Sequence, residues 1–429
     1  MEPETKSQNA SLSKKKIIVV GAGFAGVHLV RNLDKDLFEI LLIDKHNYYQ
    51  FQPLFYQVAA SQIEPSSISF PLRKIFQNNK EVQIRMAEVL GVEPVKNRIS
   101  TSIGSFNYDY LILATGCKPN FFGNPELENH VYTLKSTQDA IKIRNTILQN
   151  FEELLSVNEI EKEYLLNIVI VGGGPTGVEL AGAFAEIKKN ILPKDFPHID
   201  FNNLNIFLLE GSANTLNNMS GKAKKASAAY LNKMNVKVKT NTRVKKYDGK
   251  TITLSNGESI KSKYVVWAAG VTGNIIKGID EKIVINNGRI IVNRFNQTKD
   301  HSNIFAVGDI AYMETPKYPK GHPQLANVAI NQARNIARNL KAILQNKPLK
   351  QYEYTNLGTM ATIGKNKAVV DLPFIKFTGH IAWFVWMFLH LMLILSVKNK
   401  LIIFINWAWN YFSNDSSLRL ILKDDKAAR

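Results

Sequence analysis

One strand–turn–helix–strand pattern occurs twice in this chain, and that repeat constrains its fold more than any other feature. Lys16–Val20 (KIIVV) is a short apolar run with the length of a buried parallel strand. Gly21-Ala-Gly23-Phe-Ala-Gly26 follows, then VHLVRNL with helical character, then a second apolar run, Glu39–Ile43, ending in Asp44. The pattern returns as Ile168–Val171, Gly172-Gly-Gly174-Pro-Thr-Gly177, VELAGAFAEI and Ile206–Leu209 ending in Glu210. A lone G-x-G-x-x-G is weak evidence, but two copies in this context define two dinucleotide-binding units.

Each position has a physical reason. The first glycine allows the tight turn, the second lets the backbone approach a pyrophosphate, and the third lets helix and strand pack closely. The helix N-terminus presents free N–H groups to the phosphates. The acid closing the second strand accepts hydrogen bonds from a ribose hydroxyl pair, and Gly21 to Asp44 is close to the usual spacing of about 20 residues. Gly172 to Glu210 is longer, and KKNILPKDFPHIDFNN reads as an insertion between helix and strand. A carboxylate at Glu210 repels a 2′-phosphate, so NADH is favoured over NADPH. Two such sites suggest one tightly held cofactor and one exchangeable one.

Composition narrows the chemistry. The single cysteine, Cys117, excludes a disulfide framework, a cysteine-only metal or iron–sulfur cluster and a catalytic thiol pair. No metal site is expected. A length of 429 residues fits two or three domains. The formal net charge of +18 suggests an anionic partner. No nucleic-acid module signature is present, so nucleic acid is not expected, and an anionic membrane surface suits the apolar C-terminus better. Surplus lysine that merely aids solubility is the plainer alternative. Residues 1–13 open a polar, basic stretch without an apolar core, read as a flexible lead-in and not a signal peptide. The body of the protein is accordingly expected in the cytoplasm.

Three further strands point to a superfamily. Asp109–Gly116 (DYLILATG) and Tyr264–Gly270 (YVVWAAG) are apolar runs ending in small-residue turns, and Asn303–Asp309 (NIFAVGD) ends by presenting Asp309. Together with the glycine motifs these resemble the two-dinucleotide-binding-domain flavoproteins. The resemblance implies an α/β fold of two Rossmann-like domains, the second nested in the first. An FAD-binding domain would span 14–122 and 282–365, and an NADH-binding domain 123–281. FAD would lie on Gly21, Gly23, Gly26, Asp44, Thr115, Gly116 and Asp309, the last at the ribityl chain. NADH would lie on Gly172, Gly174, Gly177, Glu210 and Gly270.

The remaining segments resemble the type II NADH dehydrogenases, or alternative NADH:quinone oxidoreductases. These segments are KHNYYQFQPLFYQVAAS after Asp44, YTNLGTMATIGKNKAVV from Tyr354, FTGHIAWFVWMFLHLMLIL and KNKLIIFINWAWNYF. The resemblance runs from about Lys16 to Leu420, and its C-terminal part is the most distinctive. It implies a respiratory enzyme that pumps no protons, passes a hydride from NADH to FAD and reduces a membrane quinone. The nicotinamide would stack on one face of the flavin and the quinone would arrive at the other. A homodimer is implied as well.

Four residues stand out for the chemistry. Glu179, two residues after Gly177, matches a family glutamate near nicotinamide and flavin; the plainer reading is a carboxylate favourably placed at a helix N-terminus. The family pattern A-Q-x-A-x-Q lines the quinone entrance. Here it reads Ala326-Asn327-Val-Ala329-Ile-Asn331, with both glutamines replaced by asparagine one methylene shorter. These asparagines either contact a quinone carbonyl or are ordinary solvated polarity. Lys376 is either a donor in the same pocket or a lysine snorkelling to lipid headgroups.

Residues 366–429 read as a membrane-anchoring domain. Ile381–Leu395 is short of the about 20 apolar residues a span needs. Asn406 and Asn410 share a helical face in Leu401–Phe412, and Trp407 and Trp409 favour a membrane–water interface. An interfacial helix pair inserted one leaflet deep is the better reading, a single span over Ile381–Val397 being the alternative; it would place a monotopic protein on the cytoplasmic face of the inner membrane. His390 reads as packed or interfacial and not catalytic. Sulfide:quinone oxidoreductases and pyridine nucleotide–disulfide reductases use thiols that one cysteine cannot supply. A ferredoxin-reductase-like enzyme leaves the apolar C-terminus without a role, and a flavin-bearing NADH sensor would show little turnover.

Overall fold

The structure, a computed structural model, describes residues 14–415 and 418–421. The lead-in expected over residues 1–13 lies outside them. The chain divides into two compact units, 14–49 with 71–118 and 272–354, and 50–70 with 119–271 and 355–421.

The first unit is built on a five-stranded parallel sheet. Its order is Ile304–Ala306, Tyr110–Leu113, Lys15–Val20, Phe38–Asp44, Val82–Met86. The central strand is KKIIVV, and its last four residues are buried. That is why the sequence shows an apolar run there and no alternation. Helices Phe24–Asn32 and Ala326–Leu344 pack together in this unit. An antiparallel meander, Val89–Glu93, Arg98–Thr101, Gly104–Asn107, completes it.

The second unit repeats the scheme. Its parallel sheet runs Tyr132–Thr133, Tyr264–Trp267, Asn167–Val171, Asn205–Leu209, Val236–Lys239. The central strand NIVIV is buried throughout. A meander of Val244–Tyr247, Thr251–Leu254 and Ser259–Lys261 again precedes the strand beside the centre. In both units the strand order reverses next to the central strand, the point where open α/β sheets bind ligands. The stretch read as an insertion is packed: Leu192 and Phe201 are buried, and Phe196 and Phe201 meet the Phe151 ring.

The divisions differ from those expected in four places. Residues 50–70, 119–122 and the chain after residue 354 group with the second unit, and residues 272–281 with the first. The expected break at 365/366 falls in the turn of a hairpin, because Thr359–Gly364 pairs antiparallel with Lys367–Asp371, and Lys376–Thr378 adds a third strand. This sheet lies against the Pro175–Asn190 helix so closely that a β-carbon at Gly182 would collide with the Ile363 carbonyl.

Helices His380–Leu393 and Val397–Ser413 follow. Each turns a pair spaced one turn apart inward, Ala382 with Trp386 and Ile403 with Trp407. Each leaves an apolar stripe outside: Ile381, Phe384, Phe388 and Met392 on one, Leu401, Phe404, Ile405 and Phe412 on the other. Among the described residues no helix is long and apolar enough to cross a membrane.

Candidate active site

The two glycine turns have the geometry their sequences require. Gly21 and Gly172 sit at φ +102° and +112°, in the left-handed region that favours glycine. A β-carbon at Gly26 would strike the Gly21 carbonyl, and one at Gly177 the Gly172 carbonyl. Gly23 and Gly174, by contrast, face open space within 4 Å. The third glycine is therefore needed for packing, and the second leaves room for a phosphate group. Both precede helices at the N-cap, Gly23 for Phe24–Asn32 and Gly174 for Pro175–Asn190.

The two acids do the same job in each unit. Asp44 accepts the Ala22 N–H at 2.6 Å and the His46 N–H at 2.8 Å, one on each oxygen. Glu210 accepts the Gly173 N–H at 2.5 Å and the Ser212 N–H at 2.6 Å. Each carboxylate ties its glycine turn to the next loop and keeps further lone pairs for a ribose hydroxyl. In the first unit Gly21, Asp44, Thr115 and Asn274 line a cavity, and the Thr115 hydroxyl donates to the Asn274 carbonyl at 2.7 Å. Gly116 and Gly270 share φ +67°. Asp309 accepts the Cys117 thiol at 3.0 Å, and its carbonyl accepts the Gln324 amide at 3.0 Å. An open second glycine, a left-handed turn and a carboxylate at the strand end make a cradle that fits a dinucleotide such as FAD.

Glu179 lies in two cavities of the second unit. One is lined by Thr176, Glu179, Trp267, Ala268, Gly270 and Tyr56 among others. The other is lined by Tyr56, Glu179, Glu186, Thr362, Trp386 and Trp407 among others. Glu179 and Tyr56 are the residues common to both. Glu179 is buried, and its Oε1 accepts the Thr362 N–H at 3.3 Å. Burial pushes its carboxyl up to about 8, against smaller opposite effects from the Thr362 amide and the nearby Trp386 indole. Trp386 Nε1 nonetheless makes no hydrogen bond of ordinary geometry. A helix N-terminus favours a carboxylate by roughly 0.3–1 kcal/mol, whereas each pKa unit is worth about 1.4 kcal/mol, so desolvation wins and the balance shifts toward the protonated form.

The remaining predicted residues are dispersed. Asn327 donates to the Tyr354 hydroxyl at 3.2 Å and leaves a buried Oδ1 without a partner, whereas Asn331 accepts from Arg334 at 3.4 Å. Lys376 is exposed, its carbonyl accepts the Lys222 ammonium, and its side chain lines neither Glu179 cavity. His390 stacks on Trp386 with 4.1 Å between centroids, and burial lowers its pKa to about 4. It is a neutral packing residue.

Sequence reasoning missed the aromatic cavity. In the segment after Asp44, Tyr49, Phe51, Leu54, Phe55, Tyr56 and Gln57 are all buried. Gln57 bridges two cavity walls, donating to the Tyr56 hydroxyl at 2.9 Å and accepting the Trp407 indole N–H at 2.8 Å. Glu186 and Lys365 were also passed over. The signal for Glu186 was present, since it follows Glu179 by seven residues in an otherwise small and apolar helix.

Two dinucleotide cradles with strand-end acids, and no thiol pair, define a flavoprotein of the pyridine-nucleotide oxidoreductase class. The family described as pyridine nucleotide-disulphide oxidoreductase matches residues 15–333, and the NDH2 C-terminal domain matches 356–414. The type II NADH:quinone oxidoreductase Ndh of Mycobacterium tuberculosis is 29% identical over all of this chain and 94% of its own length. NdhA of the same organism is 30% identical over 93% of this chain and 87% of its own length. The chain belongs to the type II NADH:quinone oxidoreductase family. The fold agrees: NDH2 of Plasmodium falciparum, solved with NADH, superposes with a TM-score of 0.88 at 22% identity, covering 96% of this chain and all of its own. The sulfide:quinone oxidoreductase of Aquifex aeolicus gives 0.71 at 20% identity, covering 95% and 96%. This chain shares that fold but has a single cysteine.

Proposed function

We propose that the protein is an NADH:quinone oxidoreductase that pumps no protons, and that it works docked on an anionic lipid surface. The observation that carries this reading is Glu179, a neutral buried acid in the wall between a cavity at the second glycine motif and one reached from the C-terminal helices. Gly21, Gly23, Gly26, Asp44, Thr115, Gly116 and Asp309 would hold FAD. Gly172, Gly174, Gly177, Glu210 and Gly270 would hold NADH. Bound FAD supplies hydride acceptance from NADH and two-electron delivery to the quinone.

The chain's own residues orient the nucleotides and handle the proton. The overall reaction, NADH with a quinone and one proton giving NAD+ and quinol, draws one proton from water. A carboxylic acid with a pKa near the working pH is suited to pass it on, and Glu179 meets that requirement. Asn327, with its unpartnered amide oxygen, and Asn331 are assigned to the quinone entrance. Lys376, exposed beside the C-terminal helices, suits a lipid headgroup better than a quinone. The exposed apolar stripes and the +18 charge favour docking one leaflet deep on an anionic lipid surface; the cytoplasmic face and a homodimer are the arrangement we propose from the family resemblance.

The purified protein is expected to show a flavin spectrum that NADH bleaches without air and a quinone restores. A colourless protein, or a flavin that NADH leaves oxidised, refutes the reading.

A further inference from the structure

The Pro175–Asn190 helix carries a second carboxyl group on the face that bears Glu179. Glu186 lies seven residues on, almost two full turns, so the two side chains leave the same side of the helix about 10 Å apart along its axis. Both line the aromatic cavity, with the small Ala183 between them. Glu186 Oε1 accepts the backbone N–H of Lys365. The Lys365 ammonium bonds the Tyr411 carbonyl and Asn414 Oδ1, the latter at 2.7 Å, and lies 4.5 Å from the Tyr411 ring centroid. Lys365 is half-buried, and Glu186 is less deeply set than Glu179 although the carboxyl groups of both acids are enclosed. One cavity therefore joins a half-buried lysine and the acid beside it to an enclosed acid that also borders the Thr176–Gly270 cavity.

We propose that Glu186 and Lys365 are the solvent-side intake of a proton path that runs along this cavity to Glu179. This rests on the reading of the protein as an NADH:quinone oxidoreductase, whose turnover consumes one proton from water. The transfer balances as follows. Glu179 gives its proton to the anionic oxygen of the reduced quinone, completing the quinol, and becomes a carboxylate. Glu186, as the acid, reprotonates it through cavity water, and water then reprotonates Glu186. About 10 Å is spanned by three or so hydrogen bonds of roughly 2.8 Å each. Gln62, Thr362, Tyr56 and Asn410 line the same space and offer the polar partners that ordered water requires.

The surroundings suit a relay. Burial raises Glu186, and the Lys365 amide with the Lys367 and Lys365 charges acts against it. Tyr56 from the Phe55–Ala59 helix and Tyr411 from the Val397–Ser413 helix also face the cavity, and Tyr56 is held neutral by burial well above its usual range. The His380–Leu393 helix contributes only Trp383, Trp386 and Met387 to the lining, none of which titrates. A purely structural role for Glu186, capping the Lys365 turn, would be served equally well by glutamine.

The test uses the full-length, flavin-loaded protein and a short-chain quinone. E186Q is expected to lower kcat roughly ten-fold, less than the effect of a group at the reacting atoms, with KM unchanged. It should also enlarge the solvent deuterium isotope effect, be partly rescued by added acetate or imidazole, and be restored by E186D. K365M should move the limb of the kcat–pH profile set by Glu186 upward. Infrared spectra of the resting protein recorded across a pH titration provide a readout free of turnover: E186Q and E179Q should each remove a separate titrating carboxyl band, and E186Q should shift the titration of the Glu179 band. Normal kcat, isotope effect and pH profile in E186Q and K365M overturn the path. If E186Q loses flavin or stability, an unshifted kcat–pH profile in K365M, together with a Glu179 infrared titration unchanged by K365M, overturns it equally. Failure of NADH to bleach the wild-type flavin would instead remove the functional reading, and the infrared titration would remain measurable.

Discussion

The two nucleotide units share a strand order, a pair of left-handed glycines and an acid that grips its own glycine turn, yet they differ two residues after the third glycine. That position is His28 in the first unit and Glu179 in the second. Burial is the main cause of the shift at both and drives both toward the neutral form. His28 falls to about 4, helped by the charges of Arg31 and Arg334, and Glu179 rises to about 8. The consequences diverge because of what lies around them. His28 sits among arginines on the helix that packs against Ala326–Leu344. Glu179 borders two cavities. The duplicated frame thus supplies one site that only has to hold a ligand and a second that also keeps an ionisable group at its edge.

The largest effects should come from the glycines that pack helix against strand. Gly26→Ala and Gly177→Ala each drive a β-carbon into a backbone carbonyl that cannot swing away. The two should separate by unit: Gly26→Ala is expected to yield protein without flavin, and Gly177→Ala flavin-loaded protein with a sharply raised KM for NADH. Absorbance at the flavin band and steady-state kinetics read the two outcomes. Equal flavin loss in both would break the assignment of one nucleotide to each unit.

Next in size is the contrast between Glu179 and His28. Glu179→Gln should keep its flavin and lose quinone turnover on the order of 10²-fold. Wild-type kcat should fall as pH rises through about 8, where the acid form is lost. The stability effects have opposite signs. The folded pKa of Glu179 is raised, so its protonated form stabilises the fold at low pH relative to high, and this contribution is lost between about 4.5 and 8. The folded pKa of His28 is depressed, so stability is lost as pH falls from 6.5 toward 4. The melting temperature of Glu179→Gln relative to wild type should therefore climb from pH 5 to 8 and then level off. A gap that does not change with pH would contradict the burial of this acid.

A smaller effect is expected at the strand-end acids. Glu210→Gln keeps the shape but weakens charge-assisted hydrogen bonds worth about 1.5–3 kcal/mol, so the preference for NADH over NADPH should drop by roughly ten-fold or more. Asp44→Asn should leave that preference unchanged and lower flavin retention instead. A shift in nucleotide preference from Asp44→Asn would blur the distinction between the two cradles.

The steric logic of the glycine turns was legible because it is local: each collision partner lies within five residues or in the strand beside the turn. The C-terminal helix pair was legible from its composition. The aromatic cavity was not, because its walls come from residues 56–62, 179–186, 362–365 and 383–411, joined by contacts that no periodicity records. The expected boundary near residue 365 failed for a related reason. A two-residue turn at Lys365-Asn366 looks like a linker in sequence but is the tip of a paired hairpin. Lys376 was singled out for its nearness to the apolar segment, but nearness along the chain did not bring its side chain to the Glu179 cavities.

Three of the five tryptophans, Trp383, Trp386 and Trp407, line the space that holds Glu179 and Glu186. Indole emission responds to nearby charge and to the polarity around the ring. The protein therefore carries its own optical gauge: its intrinsic fluorescence should change colour and brightness as these acids ionise, with no dye or label attached.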